Sequence, residues 1–329
     1  MTHISITRRT ALAGLAGATL LPTRGALAQA YPTRPVRWIV GYPAGGGTDV
    51  LARLLGAAMS PALGQQVVIE NRPGAATNLA AGEVARSEPD GHTVFTAGIE
   101  TLVYNPALYK KLPFDPDGDL RPVGLTARFH LLLSVKKDSP VKTARELVER
   151  AKAAPGSINY GSPGLGSPHH LAMERLLKEA GLKMQHVPYR GMAPVINDMM
   201  AGVVEAGFID FAAGRSVLTE GTLRPLAVAS ASRLPGLPDV PTVTEALGLK
   251  AFEAYAWQGV VVPAKTPDTV VARLTEVVGG ALKQDSLRNR MLEIGLDPLS
   301  GGPAEFNALL KSERDLWWPI IKELGITLE

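Results

Sequence analysis

The chain has 329 residues, of which 46% are hydrophobic, and it contains no cysteine. This length is enough for two domains, and the lack of cysteine excludes a disulfide framework, thiol chemistry and cysteine-bound metal. Arg8, Arg9 and Arg24 account for the whole formal charge of +3, so the rest of the chain has a net charge of 3 − 3 = 0. A neutral chain gives no support for binding to nucleic acid or to an acidic membrane surface.

The first 28 residues have the features of an export signal. The pair Arg8-Arg9 is followed by an apolar run, Ala11–Leu21, and by a small-x-small sequence, Ala26–Ala28. The run is too short to span a membrane, so we expect residues 1–28 to be a cleaved signal peptide and the mature chain to be a soluble periplasmic protein. Twin-arginine export is one route. General secretion stays open, because the residues after the arginines depart from the usual twin-arginine motif.

Residues 36–59, VRWIVGYPAGGGTDVLARLLGAAM, predict a strand, a glycine loop and the start of a helix. The first N–H groups of a helix have no internal partner and carry the positive end of its dipole. Glycine lets a ligand come close to them, so the unit is suited to an anion such as a carboxylate. It lacks the lysine of a nucleotide-binding P-loop. A tight turn without a ligand is the alternative.

Strand-like and helix-like segments alternate along the rest of the chain, which predicts an α/β fold with mostly parallel sheets flanked by helices. The predicted strands are Gln66–Glu70, His92–Ala97, Leu131–Val135, Ile158–Gly161, Gln185–Pro188, Glu205–Asp210, Arg224–Ser230 and Trp257–Val262. The predicted helices are Thr77–Ser87, Thr143–Ala153, Pro168–Ala180, Ala193–Ala201, Pro267–Leu282, Asp285–Leu292 and Pro303–Leu324. We expect residues 130–255 to form a second domain, inserted into a first domain of residues 29–129 and 256–329. A cleft between two such domains is a common ligand site.

A second glycine-rich loop, in the sequence INYGSPGLGSPHH, repeats the form of the first. Ser167 is a good helix N-cap, and Pro168 suits the first helical position. Two such loops in two domains could hold the two ends of a small acid, although either could also be a bare turn. His169 and His170 would point about 100° apart on a helix and no cysteine is available, so we predict no metal site.

Other side chains could contact a ligand or serve the protein itself. Arg190 could pair with a carboxylate or lie in solvent, and Tyr189 fits the wall of a cleft. Thr77 and Asn78 could donate hydrogen bonds to a ligand or satisfy their own loop.

Nucleophilic catalysis has little support in the sequence. Ser162 and Ser167 lie near His169, but no acid is clearly placed to orient that histidine. The G-x-S-x-G motif of many serine hydrolases is also missing from the sequence.

Seven motifs occur in order along the chain: YPAGGGTD, NRPGA, YNPALYKKLPFDP, GSPGLGSPHHLA, HVPYRGMAP, LRPLAVAS and PDVPTVTEA. Together they resemble the Bug-type periplasmic solute receptors of tripartite tricarboxylate transporters, over nearly the whole mature chain. The resemblance implies the type 2 periplasmic-binding-protein architecture, in which two α/β domains close on a ligand like a Venus flytrap. It also implies a small organic acid as ligand, often a di- or tricarboxylate and sometimes an aromatic acid or an amino acid, held mainly by backbone N–H groups of loops and by ordered water.

The resemblance assigns ligand contacts by matching motif. The first loop would contribute Tyr42–Gly45 with the strand end Thr96–Gly98, and the second loop would contribute Ser162–Ser167 with Tyr189–Gly191 beside it. The full predicted ligand-binding set is Tyr42, Pro43, Ala44, Gly45, Thr77, Asn78, Thr96, Gly98, Ser162, Gly164, Gly166, Ser167, His169, Tyr189, Arg190 and Asp210.

Three positions depart from the family's pattern. Asp210 stands one residue later than the acid of the family's Phe-Asp pair, and a shift of one residue on a strand turns a side chain to the other face. Ala76-Thr77 replaces a usual Gly-Gly, which predicts a smaller or more polar pocket. Glu100 is an acid close to the expected carboxylate site. Directed inward, it would disfavour a highly charged anion or favour a ligand that also carries an amine.

The predicted function is non-catalytic: an extracytoplasmic receptor captures a small organic acid and delivers it to a membrane transporter. Its expected partners are the carboxylate ligand and the membrane components of a tripartite transporter or a membrane sensor. We expect a monomer with no cofactor, no metal and no nucleic acid. The alternatives are an exported serine hydrolase and a ligand-sensing adaptor for a membrane signalling protein.

Overall fold

The computed structural model describes residues 31–329, so the predicted signal peptide, residues 1–28, lies outside the described residues. The strands are β1 Val36–Val40, β2 Val67–Asn71, β3 Thr93–Gly98, β4 Leu120–Lys136, β5 Asn159–Ser162, β6 Gln185–Pro188, β7 Ala206–Asp210, β8 Leu223–Val228, β9 Tyr255–Pro263 and β10 Leu296–Pro298. They pair in the order β2-β1-β3-β9-β4-β7-β5-β6, with β8 and β10 also paired to β4. The α/β class is confirmed.

The long strand β4 joins two sections of this sheet. Over residues 120–130 it pairs with β9 and β10, and over residues 131–136 it pairs with β7 and β8. We call β1, β2, β3, β9, β10 and residues 120–130 of β4, with the loops and helices that precede β4 and that follow β9, the first section. The second section consists of β5, β6, β7, β8 and residues 131–136 of β4, with the loops and helices between β4 and β9.

The sheet is mixed rather than mostly parallel. β1 pairs parallel with β2 and β3, and β5 pairs parallel with β6 and β7. β4 and β9, in contrast, run antiparallel to their neighbours. The sequence predicts only the second half of β4, because Pro122 and Gly124 in its first half have the character of turn residues. The structure accommodates these two residues at a register shift in the ladder with β9.

Helices alternate with these strands along the chain and cover the sheet. They are α1 Gly47–Leu63, α2 Asn78–Ala85, α3 Asn105–Leu108, α4 Ala144–Ala153, α5 Pro168–Ala180, α6 Met192–Ala201, α7 Phe211–Thr219, α8 Val243–Leu247, α9 Asp268–Leu282, α10 Asp285–Glu293 and α11 Pro303–Leu324. A 3-10 turn, Ala75–Thr77, precedes α2, and a π-helical turn, Glu100–Tyr104, precedes α3. Within residues 31–329, no helix has both the length and the apolar character that a membrane crossing requires.

Helix α7 is not predicted from the sequence, because its stability depends on β7. Asp210 ends β7 and caps α7 by accepting a hydrogen bond from the N–H of Ala213 at 2.7 Å. Gly214 inside the helix lowers its intrinsic helix propensity. A Cβ at Gly214 would lie 2.6 Å from Cγ2 of Ile209, so glycine permits the close packing of helix on strand.

The hydrophobic core is continuous between the two sections. One cluster includes the fully buried Ile39 and Phe95 of the first section together with Leu131 and Tyr160 of the second. Each large apolar side chain that is fully buried stabilises the fold by about 1.5–3 kcal/mol. This core supports β1 and β5, the two strands whose carboxyl ends carry the glycine loops.

Candidate functional site

The first glycine loop, Gly41–Gly47, joins β1 to α1 and is largely exposed. Gly46 is the N-cap residue and has no side chain with which to cap the helix. Asp49 in the first turn supports the loop instead, because its Oδ2 accepts from the N–H of Gly45 at 2.8 Å and its Oδ1 accepts from the amide of Asn71 at 2.9 Å. The N–H of Gly45 is therefore engaged by the protein, while those of the first turn of α1 have no partner within the helix.

The loop before α2 has a strained backbone. Ala75, Ala76 and Thr77 have φ angles of 45°, 48° and 73°, in the left-handed region that costs a non-glycine residue roughly 1–2 kcal/mol. Asn105 on α3 holds this loop by donating to the carbonyl oxygen of Ala76 and to Oδ1 of Asn78, each at 2.7 Å. The side chain of Asn78 thus satisfies its own loop, which is one of the two interpretations that the sequence leaves open.

Three more predicted residues are held by buried contacts of the first section. Oγ1 of Thr77 lies 2.6 Å from Oγ1 of Thr101. Oγ1 of Thr96 accepts from the indole N–H of Trp38 at 2.7 Å. A Cβ at Gly98 would lie 2.3 Å from the carbonyl oxygen of Trp257, so this glycine permits β3 and β9 to approach. The two threonine hydroxyls and the glycine therefore make contacts within the protein itself.

The second glycine loop, residues 162–167, joins β5 to α5 and is fixed by two histidines. Oγ of Ser162 lies 2.7 Å from Nε2 of His186, and the N–H of Gly166 donates to Nδ1 of His170 at 3.1 Å. The two imidazole rings stack with their centroids 4.0 Å apart. Burial lowers the pKa of His170 to about 3, with His186 adding to the effect, and burial lowers the pKa of His186 to about 4. Both rings are therefore neutral near pH 7.

The second loop meets the first section at Gly166. A Cβ at Gly166 would lie 2.5 Å from Cδ1 of Leu108 and 3.4 Å from Cδ1 of Leu328. The residue also has a φ of 74°, so both its backbone conformation and its contact require glycine.

The two residues after β6 differ in their surroundings. The hydroxyl of Tyr189 donates to Oδ2 of Asp198 at 2.6 Å, and its N–H donates to the carbonyl oxygen of Ser162. Tyr189 therefore lies against the second loop. Arg190 is exposed to solvent, which matches one of its two interpretations.

Four polar side chains from both sections meet beside the loops, and we call Tyr42, Glu100, His169 and Asp210 the junction cluster. The Tyr42 hydroxyl donates to Oε2 of Glu100 at 2.7 Å, and Nε2 of His169 lies 3.3 Å from Oδ2 of Asp210. Burial raises the pKa of Glu100, against which the Tyr42 hydrogen bond and the charge of His169 act. His169 is therefore close enough to couple the two hydrogen-bonded pairs electrostatically.

Both acids whose direction the sequence leaves open belong to this cluster. Asp210 ends β7 and is the N-cap of α7, so strand alternation no longer decides where its side chain points. Its Oδ1 caps α7 and its Oδ2 faces His169. Glu100 is directed inward from the π-helical turn and is 9% exposed. No group of three or more His, Asp or Glu side chains within residues 31–329 is arranged to hold a metal ion.

Comparison with known proteins identifies the family. Residues 51–326 match the family described as the tripartite tricarboxylate transporter family receptor. The chain belongs to this family. The receptor is similar to protein BugT of Bordetella pertussis, with 30% identity over 99% of this chain and 100% of that protein.

Solved structures of similar proteins include two with bound carboxylates. A protein from R. palustris, solved with adipate, is 36% identical with a TM-score of 0.85 over 90% of the receptor and 99% of that chain. MatC from Rhodopseudomonas palustris, solved with bound malate, is 32% identical with a TM-score of 0.80 over 88% of the receptor and 100% of that chain. The fold of the receptor is therefore that of periplasmic binding proteins.

The serine hydrolase alternative is wrong for the receptor, whose family consists of solute receptors. Ser162 is fully buried, and its Oγ also donates to the carbonyl oxygen of Gly164 at 3.0 Å. Oγ of Ser167 donates to the same carbonyl oxygen at 2.8 Å and accepts from the N–H of His170 as the N-cap of α5. Both hydroxyl groups therefore serve the structure of the loop.

Two surface cavities of the receptor lie away from this site. One, of about 490 Å³, borders α9 and the start of α11 and is lined in part by Arg121 and Asp268. The other, of about 220 Å³, lies between α5, α11 and β9 and is lined in part by Arg175, Tyr255 and Glu313. Neither cavity includes a residue of the glycine loops or of the junction cluster. The site is therefore identified by its polar geometry and not by these cavities.

Sequence reasoning misses three polar residues that shape the site: Asn105, His186 and Gln258. Gln258 is 5% exposed and donates from Nε2 to Oγ1 of Thr48 at 3.0 Å. Its signal is a glutamine within an otherwise apolar strand, and such a buried polar residue needs partners. Asn105 and His186 lie inside the motifs YNPALY and HVPYRG, but their partners are 24 or more residues away.

Proposed function

We propose that the receptor is a periplasmic solute-binding protein that captures a small di- or tricarboxylate and delivers it to the membrane components of a tripartite transporter. The observation that carries this proposal is the presence of adipate and malate in two solved relatives that cover 90% and 88% of this chain. The geometry of the loops agrees with it, because each leads directly into a helix N-terminus and so favours a bound anion.

We propose that capture involves two domains, residues 29–129 with 256–329 and residues 130–255. The chain passes between them within β4 and at the start of β9. The first loop belongs to one domain and the second loop to the other. A ligand that contacts both loops binds the closed arrangement more tightly than the open one, and so it shifts the equilibrium towards closure.

Thermal unfolding in the presence of a panel of organic acids tests this proposal. A ligand at one hundred times its Kd should stabilise the folded receptor by about 2.7 kcal/mol, so at least one carboxylate should raise Tm clearly. Sugars and divalent metal ions are the comparison compounds. The proposal is wrong if a sugar or a metal ion raises Tm and no carboxylate does.

Experiments in the native host test export and delivery. Mass spectrometry of the periplasmic fraction should find a mature chain of 329 − 28 = 301 residues, and light scattering should give the mass of one chain. Deletion of the gene should abolish uptake of the labelled acid. Normal uptake with a lost transcriptional response to the acid would instead support the sensing adaptor.

A further inference from the structure

The two strands that pass between the proposed domains carry a cation–π contact. In the antiparallel ladder of β4 and β9, His130 is opposite Tyr255, so Arg128 is a diagonal neighbour of Tyr255 on the same face. The guanidinium carbon of Arg128 lies 4.2 Å from the centroid of the Tyr255 ring, within the range of an attractive cation–π contact. Arg128 belongs to the first proposed domain and Tyr255 to the second, so the contact crosses the boundary between them.

Helix α11 of the first domain adds contacts to the same place. Glu313 is 6% exposed, and its Oε2 accepts from the indole N–H of Trp317 at 2.9 Å. Burial raises the pKa of Glu313, and hydrogen bonds from Tyr255 and Trp317 act against this rise. The guanidinium group of Arg175, on α5 of the second domain, lies 5.8 Å from the centroid of the Trp317 ring. Tyr255 is therefore at the centre of a group of contacts that joins the two domains.

This group of contacts lies away from the glycine loops. Phe129, the neighbour of Arg128 on β4, contacts the first loop, because a Cβ at Gly47 would lie 3.1 Å from its Cε1. Successive side chains of a strand point to opposite faces, so Arg128 points away from that loop. Tyr255 and Glu313 border the cavity of about 220 Å³, which includes no residue of either loop. Changes at Tyr255 therefore act on capture through the arrangement of the domains.

The proposed domains meet at two further places in the same arrangement. A Cβ at Gly166 of the second loop would lie 2.5 Å from Cδ1 of Leu108, and a Cβ at Gly295 would lie 2.8 Å from Cδ1 of Phe211. Gly166 and Phe211 belong to the second domain, and their partners belong to the first. This is the arrangement that a ligand in contact with both loops would favour. The contacts of Tyr255 thus stabilise the closed form.

We propose that Tyr255 is a positioning residue for capture, which holds the domains closed through Arg128 and Glu313 and sets the affinity for every acid without touching any of them. The apparent Kd is the intrinsic Kd divided by the fraction of receptor that is closed. A change at Tyr255 therefore multiplies every Kd by one common factor and leaves the order of preference unchanged. This inference rests on the proposed function, because it assigns the control of closure in the same receptor.

Calorimetric titration of the mature receptor with succinate, malate, glutarate, adipate and citrate tests the inference. In Tyr255→Leu, which removes both contacts, each acid that binds the wild type should bind about fivefold more weakly. The factor should be the same for all of them. Tyr255→Phe keeps the ring beside Arg128 and should lose less affinity. Unchanged affinities, or losses that differ from acid to acid, overturn the inference.

A double-mutant cycle isolates the contact between the two side chains. Arg128→Met removes the cation and should also weaken every acid, whereas Tyr255→Leu/Arg128→Met should bind about as weakly as Tyr255→Leu alone. Losses that multiply overturn the inference. Arg314→Met is the matched control, because the guanidinium carbon of Arg314 lies 5.4 Å from the centroid of the Trp318 ring and both residues lie on α11. It should leave every affinity within about twofold.

Distances between labelled domains test the same point without any acid. The chain contains no cysteine, so Ala57→Cys on α1 and Ser216→Cys on α7 supply two exposed label positions, one in each proposed domain. In double electron–electron resonance on the ligand-free receptor, Tyr255→Leu should shift the distances to longer values, and Arg314→Met should not. An unchanged distribution overturns the inference.

The two measurements separate the two proposals. If none of the acids binds the wild type, the proposed function fails, and the label distances still decide the role of Tyr255. If acids bind but the Tyr255 variants behave as the wild type, the inference fails and the proposed function stands. Circular dichroism checks the folding of each variant, and Arg128→Met provides the test should Tyr255→Leu fail to fold.

Discussion

Both glycine loops are supported by a side chain at the third position of the helix that follows. Asp49 reaches back from α1 to the N–H of Gly45, and His170 reaches back from α5 to the N–H of Gly166. The position is that of the acidic residue in a capping box. The first support is a carboxylate and the second is a neutral imidazole, so the second loop depends on pH in a range where the first does not.

His170 makes stability depend on pH. Its pKa is lowered by burial and by His186 to about 3, against an ordinary value of 6.5. Between these values the unfolded chain binds a proton that the folded chain does not, so the free energy of unfolding decreases as pH falls below 6.5, by up to about 1.4 kcal/mol per pH unit for this group. Urea denaturation at pH 7.5, 6 and 5 should therefore show a smaller decrease for His170→Gln than for the wild type.

The choice of pH range separates the histidine contribution from that of acids with lowered pKa values. Hydrogen bonds and Arg53 outweigh burial and lower the pKa of Asp49, which titrates in the unfolded chain only near pH 4. Acids of this kind contribute little above pH 5. An equal decrease in His170→Gln and in the wild type over pH 7.5 to 5 would contradict the assignment.

The strained loop before α2 predicts an unusual stabilising substitution. Ala76 has φ 48° and ψ 48°, so Ala76→Gly relieves backbone strain of roughly 1–2 kcal/mol in the folded state. The greater conformational freedom of glycine in the unfolded chain offsets about 0.4–1 kcal/mol of this gain. We expect a net gain of about 0.5 kcal/mol in urea denaturation. Ala308→Gly is the control, because Ala308 is exposed within α11 and the same change there should cost about 1 kcal/mol. The explanation fails if both variants are destabilised equally.

At the scale of elements, the sequence predicts best where the local chemistry of caps decides the structure. α5 begins and ends at the predicted residues, because Ser167 caps its start and Gly181 adopts the left-handed conformation at its end. α11, which ends at a left-handed Gly325, is also predicted to the residue. The first half of β4 is missed because its partner β9 is distant in sequence and pairs with shifts in register. Helix α7 is missed because Gly214, which lowers helix propensity, is needed for close packing on Ile209 of β7.

The cap of α5 predicts a coupled loss of stability and affinity. Ser167→Ala removes the hydroxyl that caps α5 and bonds the carbonyl oxygen of Gly164, so the free energy of unfolding should fall by about 1 kcal/mol. The acid that raises Tm in the thermal-unfolding panel should also bind several-fold more weakly, as measured by calorimetry. Thr143→Ala is the matched control, because Thr143 caps α4 away from both loops. It should lose similar stability without a change in affinity, and an equal loss of affinity in both variants would argue against a role of the loop.

At the scale of the whole molecule, sequence motifs predict the two loops but not the side-chain pairs beside them. Tyr42 and Glu100 are 58 residues apart, and His169 and Asp210 are 41 residues apart. Only the packing of the two sections brings the Tyr42–Glu100 pair close to the His169–Asp210 pair. Because side chains alternate between the two faces of a strand, the displacement of Asp210 by one residue predicts that its side chain points away from the site. The strand ends at Asp210 and α7 starts there, so this alternation does not apply.

The contact of Gly166 with α3 predicts that a single methyl group weakens capture. A Cβ at Gly166 would lie 2.5 Å from Cδ1 of Leu108, and if the two domains close as proposed, this contact belongs to the closed form. Overpacking of this kind costs about 1–3 kcal/mol, and this cost falls on the closed form. Gly166→Ala should therefore bind the acid about tenfold more weakly, as measured by calorimetry.

Two further variants show whether closure is the cause of this loss. Gly164→Ala places a methyl group in the same loop at a φ of 151°, a backbone conformation that is at least as unfavourable for alanine as that of Gly166, but the nearest atom, the carbonyl oxygen of Tyr189, is 3.7 Å away. Its affinity should fall less than that of Gly166→Ala. The double variant Gly166→Ala/Leu108→Ala removes the clashing side chain and should regain part of the affinity. If the double variant binds as weakly as the sum of the two single changes predicts, the loss comes from the strained backbone and not from contact between the sections.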